Sequence, residues 1–153
     1  MILDHETRAG GLIQSFNVQG IFVAPGFPIK NVTLTDVGTM HLITLSGLIG
    51  NDSAGKLVGV DMYSQTLQTL KNVQTAIIAT AEYLGIIIDK SQALSYITFS
   101  RVDLIDLTQA TELNRAYIDA RMAFTPRAAI EVKKLPLSGL VEITATAVLP
   151  KLV

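Results

Sequence analysis

The order of apolar and polar positions divides the chain into helical and extended stretches. From Tyr63, apolar residues return at steps of three and four: Leu67, Leu70, Val73, Ile77, Ala81 and Leu84. That period is one face of an amphipathic helix. Asp61 stands ahead of it as a candidate N-cap, and Gly85 follows where a helix ends in a left-handed residue. A second helix is predicted from about Asp106, with Gln109 three residues on as in a capping box. Its apolar face would be Leu107, Ala110, Leu113, Tyr117 and Ala120. Elsewhere the pattern is extended. MHLITLS (Met40 to Ser46) and ALSYITFS (Ala93 to Ser100) read as strands. PRAAIEVKKLPLSGLVEITATAV (Pro126 to Val148) alternates twice around Leu-Pro-Leu-Ser-Gly and reads as a β-hairpin. The stretch through Asp36 is interrupted by glycines and prolines, with Ile21 to Val23 and Asn31 to Thr35 as its candidate strands.

Strands, helix, strand, helix and hairpin, in that order, predict an α+β layer: a mixed sheet with two helices packed on one face. No repeat or low-complexity linker divides the chain. It reads as one structural domain, in which residues 1–37 form an N-terminal extension with short strands and residues 38–153 the main part.

Composition adds the expectation of an assembly. Of the 153 residues, 49% are hydrophobic and 16% charged, so the chain can build a sizeable core and has few charges for its surface. Subunits that cover one another would account for this, since obligate interfaces resemble a core cut in half. The net charge of −1 and the scattered lysines and arginines give no nucleic-acid footprint. No apolar run approaches membrane-spanning length, and MILDHETRAGG lacks a signal-peptide core. A cytoplasmic location is the expectation.

The common catalytic signatures are missing. The chain has no cysteine, no G-x-S-x-G elbow and no phosphate-binding G-x-x-x-x-G-K-[ST] loop. Its two histidines, His5 in a terminus expected to be mobile and His41 in a strand, are too few for a closed zinc site. No metal and no organic cofactor is expected. What remains is the polar face of the last segment, with Arg127 and Glu142. An ordinary reading leaves that face in water. Against it, Arg127 follows Pro126 directly, among small neighbours, and a rigidly mounted arginine can grip a carboxylate through two parallel hydrogen bonds.

From about Gly38 to Val148 the chain resembles the reactive intermediate deaminases, the Rid or YjgF family. The motifs are LSGLIG (Leu45 to Gly50), GKLVGVDMYSQTLQTLKNV (Gly55 to Val73), ELNRAY (Glu112 to Tyr117) and the Pro126–Val148 segment. The last is the most specific, with Arg127 and Glu142 standing 15 positions apart as in the family. The resemblance implies a chorismate-mutase-like fold, a homotrimer and ligand clefts between subunits. It also implies hydrolysis of enamine or imine intermediates, such as 2-aminoacrylate, to a 2-keto acid and ammonia. Arg127 would bind the substrate carboxylate and Glu142 would position water. Ser46, Gly47, Asn114 and Ala129 map beside the cleft. Departures fall there too: Leu48 replaces a glutamine, Ala129 a frequent cysteine, and no tyrosine precedes Tyr63. They leave room for a deaminase dedicated to one pathway, with an aminomuconate-like substrate, or for a non-catalytic ligand-binding trimer.

Overall fold

A computed structural model of the chain describes residues 1–122 and 125–151. It contains eight strands: β1 (Ile2–Arg8), β2 (Ile13–Val18), β3 (Val32–Val37), β4 (Met40–Leu45), β5 (Leu48–Ile49), β6 (Ile97–Leu104), β7 (Arg127–Glu131) and β8 (Val141–Pro150). Two helices, α1 (Met62–Tyr83) and α2 (Ala110–Asp119), complete the α+β layer. The strands form one sheet in the order β1-β2-β3-β4-β8-β6-β7, with β5 on β8, and only β6 and β7 run parallel.

Helix α1 has the predicted start and stop. The Asp61 carboxylate accepts from the Ser64 N–H at 2.8 Å, and Gly85 takes φ 70°. Leu70, Val73 and Ile77 are buried against Phe16, Leu34, Ile43 and Ile143 of the sheet. Asp61→Ala is expected to cost about 1 kcal/mol, the usual worth of an N-cap, measured by urea unfolding. At the second helix Gln109 does not close a capping box. Its side chain reaches the Asp106 carboxylate at 3.0 Å, and a 3-10 turn over Leu107–Gln109 precedes α2.

Three expectations change. First, Pro126–Val148 is not a hairpin: β6 lies between β7 and β8, parallel to the first and antiparallel to the second. The nine residues between the strands, which include the Pro136–Ser138 turn, are longer than a tight hairpin loop. They pass the end of β6, where the Val132 N–H donates to Leu104 O and the Ile105 N–H to Leu140 O. Second, the strand expected over 93–100 runs 97–104. Asp89 caps a 3-10 turn through the Ser91 N–H, and that turn spends Ala93 and Leu94 on the core. Third, the N-terminal residues form β1, paired with β2, and His5 bonds Gln14 from it. Ile21–Val23 is not a strand; the Ile21 N–H turns back to Val18 O just before Pro25.

Candidate functional site

The sheet has two faces, and the candidate residues divide between them. Ser100 pairs with Ala145 on β8 and with Arg127 on β7. Ala145 and Ser100 are buried on the helix side, so Arg127 emerges on that side. Directly paired residues share a face. Asp103 pairs with Glu142. Both lie an odd number of positions away from Ser100 and Ala145, and so on the outer face. Arg127 and Glu142 are therefore two strands and three residues apart, about 14 Å by strand geometry, on opposite sides of their own subunit.

The β6–α2–β7 crossover builds the first cluster. A parallel pair needs such a crossover, and here it lays α2 beside the start of β7. Arg127 donates to Asn114 Oδ1, and its Cζ stands 4.8 Å from the centroid of the Tyr117 ring. Among the described residues no carboxylate is within ion-pair distance of Arg127. Asn114, Tyr117, Ile118, Thr125, Pro126 and Arg127 line an open pocket of about 590 Å³. Among the described residues the buried Tyr117 hydroxyl has no hydrogen-bond partner. Burial pushes its pKa up, against the neighbouring Ser100 hydroxyl and the Arg127 guanidinium. Ala129 lies one step along the Arg127 face of β7 and is exposed.

The second cluster occupies the outer face. The chain leaves β4 through Ser46 and Gly47, and the Ser46 N–H donates to Asn31 O. The Glu142 carboxyl packs straight onto Gly47: a Cβ there would come within 2.5 Å of Glu142 Oε1. Ser46 Oγ is buried and has no partner among the described residues. Leu48, at the position of the family glutamine, is a core residue 4% exposed. Sequence reading missed two members, Arg101 and Asp103, whose Nε and Oδ1 pair at 2.9 Å. Burial first, and Asp103 second, raise the Glu142 pKa, against the pull of Arg101. A carboxyl with a raised folded-state pKa favours folding below its unfolded value and loses that contribution as pH rises through the folded value. Glu142→Gln is accordingly expected to raise the melting temperature at pH 8 and to leave it unchanged at pH 4.

Among the described residues no helix is long and apolar enough to cross a membrane, and no group of three His, Asp or Glu side chains is placed to hold a metal ion. The fold and these clusters define a small α+β protein with an open arginine pocket on one side and a half-buried carboxyl on the other. The model of the endoribonuclease L-PSP family matches residues 33–149, and the chain belongs to that family, the Rid/YjgF proteins. Comparison with curated sequences gives no match. Among solved structures, yeast YEO7 is similar at 20% identity and TM-score 0.72, covering 92% of this chain and 99% of that one. RidA from the Antarctic bacterium Psychrobacter is similar at 23% identity and TM-score 0.64, covering 86% and 94%. The YjgF gene product of E. coli is similar at 25% identity and TM-score 0.65, covering 86% and 95%. The chorismate-mutase-like architecture expected from the motifs is the one observed.

Proposed function

We propose that the protein hydrolyses reactive imines and enamines that carry a carboxylate, giving a 2-keto acid and ammonia. The observation that carries this reading is Arg127: a guanidinium fixed by Asn114 and Tyr117, at the mouth of a pocket, with no acidic partner among the described residues. Two charged groups meeting through parallel hydrogen bonds form one of the stronger neutralising contacts, and a carboxylate fits this one. An imine needs little activation beyond a held carboxylate, a placed water and proton transfer.

The opposite placement of Arg127 and Glu142 supports a site shared between subunits, in the assembly that the motifs imply. In a homotrimer, the Arg127 pocket of one subunit would face the Ser46–Gly47–Glu142 surface of its neighbour, and the cleft would lie between them. Arg127 and Asn114 then hold the substrate, with Ala129 beside them, while Glu142 places water and moves protons. The threonines of the outer face, Thr33, Thr44, Thr144 and Thr146, suit such an interface. No nucleic acid, membrane or cofactor takes part in the reaction as proposed.

The family's name points to RNA cleavage as a second chemistry. The residues favour it less. RNA binding calls for a basic surface, and the net charge is −1. His5 bonds Gln14 at the far edge of the sheet, and His41 Nδ1 is buried. The test is release of 2-keto acid from a freshly generated 2-imino acid, supplied by an amino-acid oxidase. Acceleration over the spontaneous rate is expected. No acceleration with small and bulky imino acids alike would reject a general deaminase, in favour of a dedicated pathway enzyme or a ligand-binding trimer.

A further inference from the structure

Glu142 has a neighbour that its assigned role leaves unused. Asp103 on β6 stands directly opposite it, and sheet geometry brings such paired Cβ atoms to about 5 Å. Asp103 is 8% exposed, and one of its oxygens is tied to Arg101 at 2.9 Å. Glu142 is half-buried and accepts no hydrogen bond among the described residues. Its carboxyl is closed off on one side by Gly47. The other groups of β8, β5 and the Ser46–Gly47 turn that face it carry no charge. Among the described residues Arg101 and Asp103 are the charged groups around Glu142 within the subunit, Asp103 the nearer in register; in the proposed trimer the partner subunit's Arg127 also faces it, its charge met by the substrate carboxylate. A second carboxylate opposite in register disfavours the ionised form of Glu142, and the Arg101 guanidinium that could offset this is paired with Asp103.

We propose that Asp103, anchored by Arg101, is a positioning residue that makes Glu142 the proton donor of the site, so that Glu142 enters the reaction as the neutral acid. This rests on the deaminase reading. Glu142 gives its proton to the imine nitrogen while the oxygen of water bonds to the imine carbon and the C=N π pair moves to nitrogen. The Glu142 carboxylate takes back a proton from the added water, leaving a carbinolamine. Glu142 then protonates the amine nitrogen and the C–N bond breaks, its electron pair leaving with ammonia. The hydroxyl oxygen closes the C=O bond and returns its proton to Glu142. Imine and water become keto acid and ammonia, and the acid is regenerated. The direction of the Glu142 pKa agrees with this assignment.

Two substitutions move Glu142 in opposite senses, which a merely structural role would not do. In the assembled protein, the Glu142 carboxyl is titrated by ¹³C NMR, assigned with Glu142→Gln. Asp103→Asn is expected to lower its midpoint, and Arg101→Gln to raise it. The basic limb of the imine-hydrolysis pH profile should move with each. An unmoved midpoint in both variants overturns the proposal, and so does a profile that ignores a moved midpoint. Should Asp103→Asn fail to fold, Arg101→Gln alone decides the matter. If the wild type hydrolyses no imine, the deaminase reading falls and the donor role with it, whereas the titration still reports the carboxyl pair.

Discussion

Replacing Arg127 by alanine is expected to lower the catalysed hydrolysis of 2-imino acids at least about 10²-fold, the scale set by losing the group that orients a substrate. The arginine is exposed, so its loss leaves no cavity. Among the described residues it makes one hydrogen bond to Asn114 and stands over the Tyr117 ring. Circular dichroism and particle mass should match the wild type. Arg127→Lys is expected to recover part of the rate, because an ammonium keeps the charge and loses the planar fork. Assay of keto-acid release, with the spontaneous rate subtracted, checks all three proteins. An alanine variant as fast as the wild type would remove Arg127 from the site.

The second large effect concerns stability. Gly50→Ala is expected to cost about 3 kcal/mol, seen as a lower urea midpoint. Gly50 lies where the chain leaves β5 and crosses α1. A Cβ there would stand 2.9 Å from Gln65 Cα and 3.0 Å from Gln65 C, both backbone atoms of the helix. Flexible side chains could yield; helix backbone cannot do so cheaply. The same crossing is pinned by Asn72, whose Nδ2 donates to Ile49 O and Asn51 O, each at 2.9 Å. Pushing β5 away also shifts the Gly47 turn against Glu142, so activity should fall together with stability.

How much of this could be seen in the sequence depends on whether the signal was local. Helix α1 was legible because its period, cap and terminal glycine all lie within one stretch of chain. The end of the chain was half legible. Alternation marks Arg127–Glu131 and Val141–Pro150 as strands, yet it says nothing about which strand lies beside which. The insertion of β6 between them required the nine-residue connection from β7 to β8 to be weighed against a tight turn. β1 was missed because it is exposed from Leu3 to Arg8, and β2 because it buries Ser15 beside Phe16 and Val18 and so lacks a clean apolar alternation. The candidate site divides in the same way. Arg127 and Glu142 stood out among the polar positions of the last segment, Asn114 and Gly47 came from motif resemblance, and the structure places Arg127 with Asn114 and Gly47 with Glu142 in contact. Arg101 and Asp103 carry no motif. Only the β6–β8 register sets them beside Glu142.

Arg127 and Glu142 are proposed to work across a subunit boundary. Arg127→Ala and Glu142→Gln chains, each inactive alone, would be unfolded together, mixed in equal amounts and refolded. A cleft that takes its arginine from one chain and its glutamate from the next is intact in about a quarter of random pairings across a heterologous interface. Imine hydrolysis at about a quarter of the wild-type rate is the predicted result. A mixture as inactive as its two components would contradict the shared cleft, because every cleft would then lack one of the two residues.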